Sequence, residues 1–385
     1  MNISGKVVLK QGREVSIRRF HPWIFSGGVL RKEGTVQDGD WVEVDDWKGT
    51  PLGFGHFQNG SIALRVLHFG KDFPPPDFYH QKIQQAFQLR KNIEIISGDT
   101  NSYRLVHGEG DGLPALIVDV YNRVAVVQSH SEGMHRDRHL IASAIADSIQ
   151  VDSVFYKSQA GENAEYLFGS GQVPHEILEH GNKFLVDWEQ GQKTGFFLDQ
   201  RENRKLVAEY SSGKKVLNTF CYTGGFSIYA IRNGAQLVHS VDASAKAVEL
   251  CKKNIELNGF DSSQHACLAS DTFDYFKSTT EKYNLIILDP PAFAKHRDAR
   301  HQAMKGYQRL NAEAIKMIEP GGIIFTFSCS QVVDRKLFYD TVMSSAIQAG
   351  REVKVLSHLS QPADHPVSAF HPEGEYLKGL VLYVG

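Results

Sequence analysis

The sequence predicts a multidomain α/β protein. A small N-terminal β-barrel is expected over 1–72, a central α+β domain over 73–190, and over 191–385 a domain built on a mainly parallel seven-stranded sheet. Three observations point there. A chain of 385 residues exceeds one ordinary domain. Its first part consists of short apolar runs punctuated by glycine, the pattern of a small barrel. Its last part alternates strand-like with helix-like segments, which gives a parallel sheet with helices on both faces.

In the barrel, Val7-Val8-Leu9, Val15 with Ile17, Trp41-Val42 with Val44, and Ile62 to Leu67 read as strands. Between them, Arg18-Arg19-Phe20-His21-Pro22-Trp23-Ile24-Phe25 mixes cations with aromatics. Guanidiniums meet phosphates and flat rings stack on bases, so Arg18, Arg19, Trp23 and Phe25 are candidate RNA contacts. At least one of the two rings is expected to be core instead. Charge is placed unevenly: seven basic residues and one acidic stand up to Lys32, then six acidic and no basic ones from Glu33 to Asp46. A basic RNA-facing surface and a merely solvated one both fit that pattern. The net charge of −2 provides no global field for nucleic acid.

Pro74-Pro75-Pro76 is a stiff spacer that neither continues a sheet nor enters a helix interior. Helical spacing follows over 80–97. Strands over 116–121 and 124–128 flank Asn122-Arg123, a hairpin turn, followed by a helix over 139–149 and strands over 153–158 and 183–188. Gly108-Glu109-Gly110-Asp111-Gly112 lacks the Lys-Ser/Thr ending of a phosphate loop and reads as a tight turn. A helix over 200–210 has Asp199 as its expected N-cap. Seven strands then fall at 215–219, 236–241, 265–269, 284–288, 322–328, 352–358 and 378–384. Helices separate all but the last two. A hairpin through Asp364-His365-Pro366 and Pro372-Glu373-Gly374 would make the final strand antiparallel, with Asp364 and His365 serving that turn.

Chemistry is expected where the strands end, because strand ends of an open parallel sheet line one crevice. The first turn, Asn218 to Gly225, includes Phe220, Tyr222, Thr223 and the pair Gly224-Gly225, which lets a ligand approach the backbone. Asp242, followed by Ala243, ends the second strand, where a carboxylate meets ribose hydroxyls. Asp271 opens the next helix; adenine recognition and helix capping fit it equally. With no phosphate motif, this set suits S-adenosylmethionine better than ATP or NAD. Asp289-Pro290-Pro291-Ala292-Phe293 ends the fourth strand in a rigid turn that presents a carboxylate and a ring to a base. Pro290, Phe293 and Lys295 are the candidate base contacts. Cys329, flanked by Ser328 and Ser330, ends the fifth strand. Cytosine C5 is a poor nucleophile until a thiolate adds to C6, so Cys329 and Asp289 are the candidate catalytic pair. A cysteine here is otherwise a small buried hydrophobe; the flanking serines favour a polar strand end.

Cys221, Cys251 and Cys267 lack metal-ligand spacing and read as packed free thiols, and no metal is expected. No leader segment and no apolar span of membrane length occur, so a cytoplasmic protein is expected.

These motifs resemble the 23S ribosomal RNA 5-methylcytosine methyltransferases that carry an N-terminal PUA domain. His21-Pro22-Trp23-Ile24-Phe25-Ser26-Gly27 looks like the PUA segment. Lys193-Thr194-Gly195-Phe196-Phe197-Leu198-Asp199-Gln200-Arg201, Asp289-Pro290-Pro291, Ser328-Cys329-Ser330 and Pro372 to Gly379 look like the catalytic signatures. The resemblance implies a PUA-like barrel, a central α+β domain and a Rossmann-like class I methyltransferase domain. It also implies S-adenosylmethionine as donor, ribosomal RNA as partner, homodimers, and Phe197, Gln200 and Arg201 among the cofactor contacts. Other RNA 5-methylcytosine families carry a second cysteine after Pro-Pro; here Ala292-Phe293 stands there, so one thiol must attack and leave. A nitrogen methyltransferase acting on a purine of RNA shares Asp289-Pro290-Pro291 without needing the thiol. A non-enzymatic RNA-binding factor would need the barrel alone.

Overall fold

The computed structural model describes residues 2–158, 164–294 and 296–385. They form two compact units. One comprises Met1–Ile177, Val186–Leu198 and Ala363–Gly374; the other comprises Leu178–Leu185, Asp199–Pro362 and Glu375–Gly385. Among the described residues no helix is long and apolar enough to cross a membrane.

The first unit holds two large sheets. Six strands, in the order Trp23–Phe25, Ile62–Phe69, Pro51–Phe57, Trp41–Asp45, Ile3–Leu9 and Val29–Gly34, enclose a core that includes Val7, Leu9, Val42, Val44, Leu64 and Val66. One expectation fails here. Val15 and Ile17 lie on a short helix, Glu14–Arg18, and not on a strand. Its acid lies in the first turn and its base in the last, which favours the helix dipole. Only Ile17 faces the core, while Val15 is exposed.

The second sheet has five strands, ordered Ala164–Phe168, Ser153–Ser158, Val124–Ser129, Leu116–Tyr121 and Ser102–His107. Helices Phe78–Asn92 and Arg138–Ser148 share its apolar core. Asn122 takes a left-handed φ of 57°, as a two-residue hairpin requires. The sequence reading missed the strand Ser102–His107 because Arg104 breaks its apolar run; the guanidinium is paired with fully buried Asp119 at 2.7 Å. Asp364 and His365 serve a buried turn: Asp364 bonds His365 Nδ1 at 2.9 Å and accepts from the Arg104 amide at 3.0 Å. The Gly108 turn is likewise structural, with Asp111 clamped by Arg90.

Asp137 joins the two sheets of this unit. It accepts from Trp41 Nε1 at 2.8 Å and Tyr79 Oη at 2.5 Å, and lies 3.1 Å from His56 Nε2. Trp41 and His56 belong to the six-stranded sheet, and Tyr79 to a helix over the other.

The second unit carries the seven-stranded sheet. Its strands are β1 (Lys215–Thr219), β2 (Leu237–Asp242), β3 (His265–Ala269), β4 (Leu285–Leu288), β5 (Gly322–Ser328), β6 (Val353–Ser360) and β7 (Lys378–Val384). Helices α1 (Arg201–Glu209), α2 (Gly225–Arg232), α3 (Ala245–Leu257), α4 (Thr272–Ser278), α5 (Arg300–Met317) and α6 (Arg335–Ala349) intervene. The spatial order is β3-β2-β1-β4-β5-β7-β6. The first five strands in sequence pair in parallel, and β7 runs antiparallel to both neighbours, as the missing final helix predicts. All four residues of β4 are buried, as befits a strand covered on both faces. One capping expectation fails: Gln200 stands at the N-cap of α1 without a side-chain cap bond, and Asp199 accepts from Tyr376 Oη at 2.7 Å.

Candidate active site

The turn after β1 is strained by design. Phe220 and Tyr222 take φ of 54° and 47°, and Gly224 takes 82°. Non-glycine residues at positive φ cost about 1 kcal/mol or more each and persist where the surroundings enforce them. Here the Tyr222 amide donates to Asp242 Oδ2 at 3.0 Å. Asn254 Nδ2 donates to the Thr223 carbonyl at 2.9 Å, while its Oδ1 accepts from the Leu185 amide at 2.7 Å. Gly224 is required twice over, since a Cβ there would meet Cys251 Sγ at 2.4 Å. Asn218 is fully buried and donates to Ser227 Oγ at 2.8 Å, so it braces the turn from beneath.

Asp242 Oδ1 accepts from the Ser244 amide at 2.8 Å, which fixes the carboxylate at the tip of β2 beside exposed Ala243. Asp271 caps α4 through Oδ1, accepting from Phe273 and Asp274 amides at 2.8 and 3.2 Å. Both uses expected of Asp271 therefore remain compatible, since capping occupies one oxygen. A left-handed glycine turn, a strand-end carboxylate and an exposed acid on the third loop fit the adenosyl part of S-adenosylmethionine.

Gln200 Nε2 donates to Asp289 Oδ1 at 3.0 Å, and Gln200 Oε1 accepts from Asn203 Nδ2 at 2.6 Å. Gln200 thus orients the half-buried Asp289. Arg201 is buried with Nε 3.5 Å from Glu179 Oε2, in a cluster with Arg204 and Tyr229. Its guanidinium has a structural charge partner in Glu179. Phe197 lies in the first unit, beneath the Lys193 ammonium at 4.7 Å.

β4 and β5 are neighbours, so the Asp289 and Cys329 loops adjoin. Ser330 Oγ donates to the Ala294 carbonyl at 2.7 Å and ties one loop to the other. Pro290 is buried and Pro291 exposed. Phe293 is partly buried and packs against Tyr307 with ring centroids 4.6 Å apart. Lys295 lies outside the described residues. Cys329 is partly exposed, between buried Ser328 and Ser330.

Two groups beside Cys329 escaped the sequence reading. Tyr307 accepts from Ser328 Oγ at 3.0 Å, and burial pushes its hydroxyl up to about 12, with Cys329 adding to the rise. Lys378 on β7 is 4% exposed and donates to the carbonyls of Ser330 at 2.6 Å and Tyr376 at 2.8 Å. A lysine opening the apolar strand β7, within the Pro372 to Gly379 segment, was the available signal; Tyr307, mid-helix and far from any motif, offered none.

Cys251, His265 and Cys267 approach one another within 4.8 Å, but Cys267 Sγ lies 3.7 and 3.6 Å from the two His265 nitrogens.

In the first unit, Arg13, Arg19, His21, Trp23 and Phe25 line a cleft of about 460 Å³. Arg18 is not among its lining residues and is drawn to Asp46 at 3.0 Å. Trp23 is the partly buried ring of the pair, donating to Glu109 at 2.8 Å and packed on His371, whereas Phe25 is 52% exposed.

A family model described as S-adenosylmethionine-dependent methyltransferase matches residues 133–374, and one for a PUA-like domain matches residues 7–69. The chain is similar to the protein named ribosomal RNA large subunit methyltransferase I of Aeromonas hydrophila subsp. hydrophila, 38% identical and covering 99% of each. The protein of that name from Aeromonas salmonicida is 40% identical, with 98% of each covered. A solved chain from Streptococcus mutans, described provisionally as a SAM-dependent methyltransferase, has a TM-score of 0.86 at 23% identity. That match covers 98% of this chain and 100% of the other, and it bears on fold alone.

Proposed function

Because the chain belongs to the S-adenosylmethionine-dependent methyltransferases, and within them to the family of ribosomal RNA large subunit methyltransferase I, we propose that it methylates C5 of a cytosine in ribosomal RNA, 23S on the resemblance, with Cys329 as nucleophile. The carrying observation is the Ser330–Ala294 tie of 2.7 Å, which joins the thiol loop to the Asp289-Pro290-Pro291 turn.

S-adenosylmethionine supplies an electrophilic sulfonium methyl. The residues after β1 and β2 would hold its nucleoside, the Gly224 turn through backbone approach and Asp242 through the ribose hydroxyls. Asp289, held by Gln200, meets the N3/N4 edge of the cytosine, and Phe293 offers a ring to its face. The Cys329 thiolate adds to C6, and the C5–C6 pair moves to C5, which takes the methyl as the S–CH3 bond of the donor breaks and its electron pair returns to the sulfur of the departing thioether. Loss of the C5 proton to a base returns the pair, restores the double bond and expels the thiolate. The PUA-like domain supplies RNA affinity through Arg19 and Phe25 at its cleft, with Arg13 added to the set expected from sequence. The three-part division at 1–72, 73–190 and 191–385 is retained as a division of labour, and the cytoplasm is the proposed place of action.

Cys329→Ala should abolish tritium transfer from labelled S-adenosylmethionine to ribosomal RNA while calorimetry still records cofactor binding. Nucleoside mass spectrometry of the product should show 5-methylcytidine. A methylated purine would install the nitrogen-transfer reading, and retained activity in the variant would remove the thiol.

A further inference from the structure

Lys378 has no carboxylate within ion-pair distance among the described residues, yet it is nearly wholly buried. A buried ammonium without a paired anion is costly, and it persists where a partner or a function holds it. Two carbonyls, those of Ser330 and Tyr376, take two of its three protons. The residue opposite it in the β5–β7 ladder is Ser328, so its Nζ reaches past the end of β5, on the far side of Cys329. Both carbonyls belong to the segments that flank the thiol loop and the start of β7.

We infer that Lys378 is a positioning residue for Cys329, its buried cation favouring loss of the thiol proton so that the reactive form is the thiolate–ammonium pair. The inference rests on the thiol reading above and adds to it the group that makes the thiol a nucleophile near neutral pH. The step balances simply: the S–H bond breaks, the proton passes to solvent, and the electron pair stays on Sγ beside the ammonium. When the thiolate leaves C6, the same cation receives the returning charge.

The surroundings agree. Burial brings the Lys378 ammonium down to about 8; Cys329 is the first influence opposing that, Arg335 adds to the fall, and Glu375 and Asp334 oppose it. Arg335 of α6 and Glu375 pair with each other, and Asp334 caps α6, so their charges are largely committed. Tyr307 on α5 is kept neutral, with Cys329 and Asp289 both acting to raise its hydroxyl. The amine and the thiol then titrate as a coupled pair and not as two independent groups.

The test reads the thiol directly. In the full chain, Cys329 alkylation by iodoacetamide is followed against pH by peptide mass spectrometry, with Cys221, Cys251 and Cys267 as internal comparators. A thiol beside a lysine cation should reach half-maximal reactivity below about pH 7.5, and Lys378→Met should move that midpoint to about 8.5 or above. Reactivity at pH 7 should then fall at least about tenfold. An ordinary midpoint in the unmodified protein overturns the inference without any variant, as does an unchanged midpoint in a folded Lys378→Met. Should that variant not fold, Lys378→Arg, which keeps the cation, must retain the low midpoint; a rise to the ordinary value overturns the inference. Failure of the methylation reading looks different: Cys329→Ala would keep its activity while the alkylation profile of the unmodified protein stayed as described.

Discussion

At the residue scale the cofactor turn shows why a side chain too few is a function. Gly224 combines a left-handed φ of 82° with a Cysβ-sized space already taken by Cys251 Sγ. Gly224→Ala should cost about 2 kcal/mol, part backbone strain and part clash. Adding Cys251→Ala should recover the clash portion, read as a partial return of the thermal midpoint. Equal midpoints for the single and double variants would assign the whole cost to the backbone. Asp289 and Cys329 were legible in the sequence because each closes an apolar strand, where a polar residue has no packing reason to stand. The burial of Arg201 was not legible, because its motif neighbours Gln200 and Phe197 look equally exposed in one dimension. Only the fold reveals Glu179 waiting for it at 3.5 Å.

At the scale of elements, the regular alternation of β1 to β6 with helices was readable because a parallel strand must be apolar on both faces. What escaped were elements whose polarity is satisfied by partners distant in sequence. The strand Ser102–His107 hides its charge on Asp119, and the helix Glu14–Arg18 is too short for its period to register. Asn254 belongs to this class: from α3 it spans the Thr223 carbonyl and the Leu185 amide. Asn254→Ala should leave two buried backbone groups unpaired and cost about 2–4 kcal/mol. The loss should come with weaker S-adenosylhomocysteine binding in calorimetry, because the turn after β1 loses its outer brace. Undiminished binding at a lowered melting temperature would separate the brace from the site.

At the scale of the whole molecule, two units were found where the sequence suggested three parts, and within the first unit Asp137 is the joint. Burial pushes its carboxyl up, but the bonds from His56, Tyr79 and Trp41 outweigh that and leave it below its ordinary value. A depressed carboxyl contributes stability that is fully present above the unfolded value of about 3.9 and lost as pH falls through the folded one. The first unit should therefore loosen in acid before neutral-pH contacts are disturbed. Asp137→Ala should destabilise it by about 3 kcal/mol at pH 7, and by progressively less as pH falls toward the folded value. Equal losses at pH 7 and at pH 3 would show that the carboxylate's charge is not what joins the sheets.

The position of β7 carries one more consequence. The last strand of the sequence lies inside the sheet, between β5 and β6. A nascent chain halted before residue 378 has every cofactor loop already translated, but an open seam beside the cysteine strand and no lysine behind the thiol.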